Sequence, residues 1–326
     1  MRSRKLLAMI VLVGVLASVL ALWAQQATVF QVKVDLVVLN VTVTNRQGRY
    51  VSGLKPSDFR IQEDGIAQKV AYFGEGNQQL IALDEARPAA AARAGGSAPI
   101  DLASDTFVGT SVFVLFDTSN FMYRGFVFAE DSIADFVRGL DKADSIAVYT
   151  FSRNLNRLAP ATRDRMVAVK GVRQAVAGDD TALYYSLLLT LRDAARVPGR
   201  KVVIVSSNGP DNASMLAPDD VRAVAEDEGI PIYVISTSEM GKDPISGSVF
   251  RRITARTGGK AFFAKTWQKQ NEAFHSIREE LQNSYTITYY PQANPNEGWR
   301  SIAVEMVGEN SRNLRVRTRA GYRPKV

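Results

Sequence analysis

Between about residues 110 and 282 the sequence alternates short apolar runs with longer amphipathic segments, and this pattern constrains the fold more than any other feature. The apolar runs are rich in β-branched and aromatic residues and have the length of buried strands. They fall at residues 112–116, 145–151, 202–206, 231–236 and 260–264. Helical segments of this length between buried strands act as crossover connections, which join parallel strands. The sequence therefore predicts an α/β fold with a doubly wound, mostly parallel sheet and helices on both faces.

The flanks of this region have the two-residue period of β-strands instead. Strand and hairpin patterns occupy residues 28–80 before it and residues 283–326 after it. Neither flank is long enough to close a stable sandwich alone, so we predict one added all-β sandwich built from both, with the α/β domain inserted into it. Two separate small β modules are the alternative. Residues 84–106, rich in alanine, glycine and proline, predict a flexible linker before the α/β domain, which we place at residues 107–282.

The amino terminus has the pattern of an export segment. Arg2, Arg4 and Lys5 precede an uncharged apolar run over residues 6–24. The run is about as long as a membrane span, and cleavage at its end would make segment 1–24 a signal peptide, so a signal peptide and a retained membrane anchor remain alternatives. Both place the body of the protein outside the cytoplasm, as a periplasmic, membrane-anchored or secreted protein. If segment 1–24 is not cleaved, it would also attach the protein to the membrane.

The formal net charge of +7 comes from the two ends of the chain. Residues 2–5 carry three positive charges and residues 312–325 carry six with no acidic residue, which leaves the middle close to neutral. A folded body without a basic patch argues against a nucleic-acid partner. Arg315, Arg317 and Arg319 alternate with less polar residues, so we predict that they form one solvent-exposed face of an edge strand.

The sequence also argues against an enzyme. It contains no cysteine, which excludes thiolate nucleophiles and thiol-bound metals. The single histidine, His275, lies about 100° from the apolar stripe of its predicted helix and so points away from the core. The acidic pairs Glu279-Glu280 and Asp219-Asp220 lie on helical segments, where we predict solvent-exposed faces rather than paired catalytic carboxylates.

Polar residues follow two of the predicted parallel strands at their carboxyl ends. Asp117 and Ser119 come directly after residues 112–116, and Asn208 closely follows residues 202–206. Because open α/β sheets bind ligands at this edge, these side chains are candidate binding residues. Thr181, which opens a later helix, adds another hydroxyl. Carboxylate, hydroxyl and amide oxygens suit Mg²⁺, Mn²⁺ or Ca²⁺ rather than zinc.

This arrangement resembles the metal-ion-dependent adhesion site of von Willebrand factor type A domains. The resemblance covers residues 107–282 and extends into the flanks, which look like a bacterial subfamily of exported proteins related to these domains. The further motifs that carry it are Thr181-Ala182-Leu183-Tyr184, Thr257-Gly258-Gly259-Lys260, Phe59-Arg60-Ile61-Gln62-Glu63-Asp64-Gly65, Tyr72-Phe73 and Gly321-Tyr322.

In that family an Asp-x-Ser-x-Ser loop, a threonine and an aspartate hold a divalent cation, and an acidic side chain of a protein partner completes its coordination. The resemblance therefore implies a metal site at Asp117, Ser119, Thr181 and Asn208. Phe121 stands where the second serine belongs and offers no oxygen, and Asn208 replaces the aspartate with a neutral amide. These departures imply that Mg²⁺ or Mn²⁺ binds weakly or that the cation has been lost.

Nearby carboxylates offer a substitute for the missing oxygens, because Asp179, Asp180 and Asp211 lie close to these positions in the sequence. The resemblance implies a non-enzymatic, extracytoplasmic protein-binding or adhesion module whose adhesion site is degenerate. The alternative is a metal-free structural scaffold of a cell-envelope complex. Apolar neighbours of the site either anchor a partner or pack under the first helix. They are Phe121, Met122, Tyr123 and Phe126.

Overall fold

The apolar runs of the central region form one six-stranded sheet in a computed structural model of the chain. The expected export segment, residues 1–24, and the expected linker, residues 84–106, lie outside the residues that the structure describes. Within the described residues, no helix is both long and apolar enough to cross a membrane. The described residues are 36–83, 109–122, 125–141, 144–237, 243–308 and 311–324.

The strands of this part of the chain are numbered in chain order. They are β1 (Val37–Asn45), β2 (Phe59–Glu63), β3 (Ile66–Gln68), β4 (Val70–Glu75), β5 (Ile81–Ala82), β6 (Thr110–Asp117), β7 (Ser145–Phe151), β8 (Leu155–Thr162), β9 (Arg200–Ser206), β10 (Ile232–Ser236), β11 (Ala261–Phe263), β12 (Tyr285–Tyr289), β13 (Arg300–Met306), β14 (Leu314–Arg317) and β15 (Gly321–Tyr322).

The six-stranded sheet has the order β11-β10-β9-β6-β7-β8, and only the β7–β8 pair is antiparallel. Near its centre, β6 is buried on both faces: Val112, Val114 and Phe116 belong to one hydrophobic cluster, and Phe113 and Leu115 belong to the other. Burial on both faces explains why the sequence of this strand is a continuous apolar run. The predicted α/β class is confirmed.

Helices cover both faces of this sheet. Side chains of α1, α2 and α6 contribute to one hydrophobic cluster, and those of α3, α4 and α5 contribute to the other. In α6, Phe274, Ile277 and Leu281 recur at helical spacing and are buried, as their apolar stripe predicts. The helices are α1 (Phe126–Arg138), α2 (Arg165–Arg173), α3 (Leu183–Ala195), α4 (Pro218–Asp227), α5 (Pro244–Thr257) and α6 (Trp267–Asn283).

Two antiparallel sheets are built from both flanks of the chain. One has the order β14-β1-β12-β4-β5 and the other the order β15-β13-β2-β3. Amino-terminal β1 pairs with carboxy-terminal β12 and β14, and amino-terminal β2 pairs with carboxy-terminal β13. This interleaving confirms the shared sandwich and contradicts the alternative of two separate β modules.

An aromatic cluster joins the inner faces of the two antiparallel sheets. Phe59 of one sheet lies 5.4 Å from Tyr285 and 5.7 Å from Phe73 of the other, measured between ring centroids. Ile61 and Ile287 are buried in the same cluster. The sandwich therefore has a core of its own, separate from the two clusters that flank the parallel sheet.

Two predictions about charged side chains are wrong. Arg315 is exposed as predicted, but Arg317 pairs with Glu280 at 2.5 Å, and Arg319 is buried with its guanidinium donating to the backbone oxygen of Glu226 at 2.7 Å, so the three do not form one solvent-exposed face. Glu280 is itself buried, so the Glu279-Glu280 pair is not a solvent-exposed face either. The reason is that β14 and the residues after it lie against α4 and α6, where each buried charge requires a partner.

Candidate functional site

The candidate site begins where β6 ends, at Asp117, whose side chain is fully buried. The chain turns immediately, because the Ser119 backbone N–H donates to Asp117 Oδ1 at 2.9 Å, a bond that the short aspartate side chain commonly makes in turns. Thr118 N–H donates to the Phe151 backbone oxygen at 2.8 Å and ties this turn to the end of β7. The carboxylate is thus held at the carboxyl edge of the sheet.

Ser207, at the end of β9, holds the second oxygen of this carboxylate. Its Oγ donates to Asp117 Oδ2 at 2.6 Å, and it is completely buried. Burial raises the pKa of Asp117, the hydrogen bonds from Ser207 and Ser119 oppose that rise, and the negative charge of Asp211 adds to it. Ser207 is absent from the candidates that the sequence supplies, although its position directly after a buried strand and before Asn208 was a usable signal.

Two hydroxyls at the same edge are buried without a partner. Thr181 Oγ1 and Ser119 Oγ have no hydrogen-bond partner of good geometry within the described part of the chain, although the Ser119 side chain is close enough to Asp117 to lower the pKa of that carboxyl. A hydrogen bond of 3.0 Å from Asn120 N–H to the Asp179 backbone oxygen ties their two loops together. A buried polar group without a partner costs about 1–3 kcal/mol, so two such hydroxyls at the edge that holds a buried carboxylate are candidates to contact a bound polar group.

Asn208 makes hydrogen bonds to two neighbouring loops. Its Oδ1 accepts hydrogen bonds from the Thr237 backbone N–H, at 2.9 Å, and from the Thr237 hydroxyl. Its Nδ2 donates to the Phe121 backbone oxygen at 3.0 Å. The amide therefore joins the loops after β6, β9 and β10, and its oxygen is already engaged.

The neighbouring carboxylates also have structural roles. Asp211 accepts hydrogen bonds from the backbone N–H groups of Tyr184 and Ser214, both at 2.8 Å. Asp180 forms an exposed ion pair with Arg153 at 3.5 Å. In the part of the chain that the structure describes, no three His, Cys, Asp or Glu side chains are grouped to hold a metal ion.

The remaining oxygen donors are the Asp117 carboxylate and the hydroxyls of Ser119 and Thr181. These donors fit Mg²⁺ or Mn²⁺ chemically, because both ions prefer hard oxygens and Mg²⁺ usually keeps several of its water ligands. The two partnerless hydroxyls are the structural observation that supports the fit. With so few protein oxygens, the expected affinity is low.

Exposed apolar side chains surround this edge. Of the twelve large hydrophobic side chains that are exposed among the described residues, seven lie in the loops that follow the carboxyl ends of parallel strands, in the first turn of the next helix or, for Tyr185, in a helix turn hydrogen-bonded to such a loop. Tyr185 N–H, for example, donates to Ser214 Oγ at 3.0 Å, next to the fully exposed Met215. We call these seven residues the apolar rim. They are Phe121, Val127, Phe128, Tyr185, Met215, Ile245 and Trp267.

No protein-family description and no curated protein matches this sequence. Several solved structures are similar to the structure of this chain. They include the conserved hypothetical protein BatB from Bacteroides thetaiotaomicron, at 18% identity and a TM-score of 0.45, over 53% of this chain and 97% of that one. A von Willebrand factor type A structure from Catenulispora acidiphila matches at 13% identity and a TM-score of 0.45, over 66% of each chain.

A third match is the von Willebrand domain of the type V pili tip protein Mfa5 from Porphyromonas gingivalis, at 12% identity and a TM-score of 0.45 over 52% of this chain and 94% of that one. The matches thus include von Willebrand factor type A structures, the family that the sequence motifs resemble. The architecture itself follows from the strand order, the parallel pairing and the helices on both faces.

Proposed function

We propose that this protein is a non-enzymatic, extracytoplasmic module of the von Willebrand factor type A kind that binds a protein partner at the carboxyl edge of its parallel sheet. The observation that carries the proposal is the pair of buried, partnerless hydroxyls of Ser119 and Thr181 near the buried Asp117 carboxylate. This edge is where open α/β sheets bind ligands. The location outside the cytoplasm rests on the basic and apolar segment 1–24.

A divalent cation, Mg²⁺ or Mn²⁺, is part of this proposal. Asp117, Ser119 and Thr181 would hold it, and when bound it supplies a positive charge for an acidic side chain of the partner. Ser207 keeps the Asp117 carboxylate oriented through the 2.6 Å hydrogen bond. In this proposal Asn208 holds the surrounding loops together by hydrogen bonds and does not contribute an oxygen to the cation.

The apolar rim favours a protein as the partner. Single exposed hydrophobic residues are ordinary, but a concentration of them around one site is typical of interaction surfaces. Phe121 is 41% exposed, and its backbone oxygen accepts the hydrogen bond from Asn208 in the loop after β9. Large apolar side chains of this kind provide much of the binding energy in protein interfaces.

The geometry around the lone histidine supports a non-enzymatic role. The His275 side chain is 57% exposed, and its Nδ1 lies 3.7 Å from the Glu279 carboxylate. Neither residue is buried, because both lie on the outer side of α6. A catalytic histidine is usually held in place beside a nucleophile, which an exposed side chain of this kind is not.

A metal-free scaffold is the second candidate function. The observation that favours it is the engagement of Asn208 Oδ1 by Thr237, which removes one oxygen from the site. Under this alternative, Asp117 and Ser207 only tie the strand ends together, and the sandwich makes the contacts with other envelope components.

The double variant Asp117→Ala/Thr181→Ala distinguishes the two functions. We expect it to lose the partners that the native protein captures from a cell-envelope extract in Mg²⁺, because the site at the edge is removed. The matched control is Asp135→Ala/Thr162→Ala, which changes the same residue types away from the edge. Circular dichroism establishes that both variants are folded. If both folded variants capture the same partners as the native protein, the edge is not the binding surface and the scaffold function holds.

A further inference from the structure

A cavity of about 100 Å³ lies at the opposite, amino edge of the parallel sheet. It is lined on one side by Gly109 and Arg200, at the starts of β6 and β9, and on the other by Val38 and Thr288 of the sandwich strands β1 and β12. The cavity therefore sits where the α/β domain meets the sandwich, far along the strands from Asp117.

Arg200 is a buried cation in this lining, with only 6% of the residue exposed. Its guanidinium donates to the Gly76 backbone oxygen at 2.9 Å and to the Ser284 hydroxyl. Its Nε is buried and has no hydrogen-bond partner. No carboxylate of the described residues forms an ion pair with it, so the charge is compensated only at a distance.

Other buried side-chain atoms without a partner belong to residues that lie beside the lining residues in sequence or in strand register. Thr110 Oγ1 is one of them, and Thr110 lies opposite Arg200 in the register of β6 and β9. Asn77, whose amide oxygen and nitrogen both lack partners, lies between lining residues 76 and 78, and Asn40, whose oxygen lacks one, is two residues from Val38 on the same strand. With Arg200, these residues hold five of the eleven buried, partnerless side-chain atoms among the residues that the structure describes. Buried polar atoms of this kind commonly contact an ordered water or ion.

The charges around the cavity favour an anion as that occupant. Lys201 also lines it. The carboxylates that act electrostatically on Arg200 are those of Asp144 and Glu280. Both have other partners, because Asp144 accepts a hydrogen bond from the Thr110 backbone N–H at 2.8 Å and Glu280 pairs with Arg317. A small anion would give Arg200 Nε a hydrogen-bond acceptor and a countercharge at the same time.

We propose that this cavity is a binding site for a small inorganic anion, a halide or phosphate, held by Arg200 Nε and the polar side chains that line the cavity. The bound ion would join the amino ends of β6 and β9 to the sandwich by bridging charged and polar groups from both. This site is independent of the function proposed for the carboxyl edge.

Diffraction from crystals of the native protein soaked in bromide tests the site directly. We expect an anomalous peak within hydrogen-bond distance of Arg200 Nε, and phosphate should displace bromide from it. Water molecules alone, or a side chain of the protein, hydrogen-bonded to Nε in bromide would overturn the proposal. This measurement does not depend on a variant that folds.

Thermal unfolding provides a second test in solution. At constant ionic strength, replacing gluconate by chloride should raise the unfolding midpoint of the native protein by a few degrees and saturate, because a ligand that binds only the folded state stabilises it. Arg200→Met should lose this rise, and the control Arg60→Met, at an exposed ion pair, should keep it. The same chloride dependence in both variants would overturn the proposal.

Discussion

At the scale of single residues, Asp117 combines two conflicting properties. Its carboxylate is completely buried, and burial raises its pKa, although the Ser119 backbone and the Ser207 hydroxyl donate hydrogen bonds to it. A buried carboxylate that destabilises the folded protein is typical of a site kept for binding rather than for stability. The conflict leads to a prediction about pH and one about the cation.

Asp117→Asn should stabilise the cation-free protein at neutral pH. Because the pKa of Asp117 is raised in the folded state, its favourable contribution is present below its ordinary value of 3.8 and is lost as the pH rises through the raised value. The neutral amide avoids that loss, so the free energy of unfolding at pH 7 should rise by on the order of 1 kcal/mol. Urea unfolding in EDTA at pH 7 and pH 4.5 measures this, and the gain should shrink at the lower pH.

The control for this prediction is Asp135→Asn, an exposed position where the substitution should change little. A loss of stability at pH 7 in Asp117→Asn, with the control unchanged, would mean that the carboxylate is well compensated in the folded protein.

Phe121→Ser should strengthen cation binding. It places a hydroxyl where the second serine of the resembled motif belongs, and the loss of a side chain that is already 41% exposed should cost little stability. One added hard oxygen in a site with few protein ligands should tighten Mn²⁺ binding by about tenfold. Calorimetric titration with Mn²⁺ measures the change, with Phe128→Ser as the exposed control. Equal affinities in the two variants would show that position 121 does not face the cation.

At the scale of structural elements, the carboxyl edge depends on hydrogen bonds between loops. Asp211 links the loop after β9 to the start of α3, because it accepts the N–H of Tyr184 in the first turn. Asn212 links the same loop to Thr181, because its side-chain oxygen accepts a hydrogen bond from the Thr181 backbone N–H at 2.8 Å. These bonds hold Thr181 at the edge, although the residues that make them cannot ligate a cation.

Asp211→Ala should therefore destabilise the protein by about 1–2 kcal/mol, the usual effect of removing a side chain that satisfies N–H groups at a helix start. Urea unfolding at pH 7 measures it. The matched control is Asp164→Ala, which removes the cap of α2 and should cost about as much. Only Asp211→Ala should also weaken Mn²⁺ binding. Equal Mn²⁺ affinity in the two variants would mean that the loop after β9 does not position the cation ligands.

The elements also show which parts of the fold a sequence can predict. β6, β7, β9 and β10 are predictable because burial on both faces makes each a continuous apolar run. The antiparallel edge strand β8 is not, because its residues are mostly exposed and it contains Pro160. The bounds of β11 cannot be predicted from the sequence either. This strand is only three residues long, and its extent is set by pairing with β10 rather than by a hydrophobic pattern.

At the scale of the whole molecule, Glu280 joins the α/β domain to the sandwich. From α6 it accepts hydrogen bonds from Tyr233 of the parallel sheet, at 2.5 Å, and from Thr42 and Tyr50 of the amino-terminal flank, at 3.1 and 3.2 Å, and it pairs with Arg317 of β14. Burial raises the pKa of Tyr233 well above its ordinary value, and the Glu280 charge adds to the rise.

Glu280→Gln should destabilise the protein strongly. It leaves the partly buried Arg317 without a countercharge, and breaking one partner of a buried ion pair typically costs about 3–5 kcal/mol. The neighbouring control Glu279→Gln, about half exposed, should change the free energy of unfolding by less than about 0.5 kcal/mol. Urea unfolding measures both, and similar values for the two variants would mean that Glu280 does not join the domains.

The orientation and burial of polar side chains mark the limit of sequence-based prediction. The chemical type of Asp117, Ser119 and Thr181 and their positions after strands predict an oxygen-rich edge. What the sequence does not reveal is the direction of a side chain: Asn208 turns its oxygen toward Thr237. A charge such as that of Glu280 is buried only because Arg317, a partner distant in the sequence, lies against it, which no local pattern records.

The central claim is that Asp117, Ser119 and Thr181 form a cation site at the carboxyl edge. Calorimetric titration of the purified protein with Mn²⁺ tests it most directly. We expect one saturable site with weak affinity, abolished in Thr181→Ala and retained in the control Thr162→Ala. The absence of saturable binding in the native protein up to tens of millimolar Mn²⁺, or unchanged binding in Thr181→Ala, would contradict the claim.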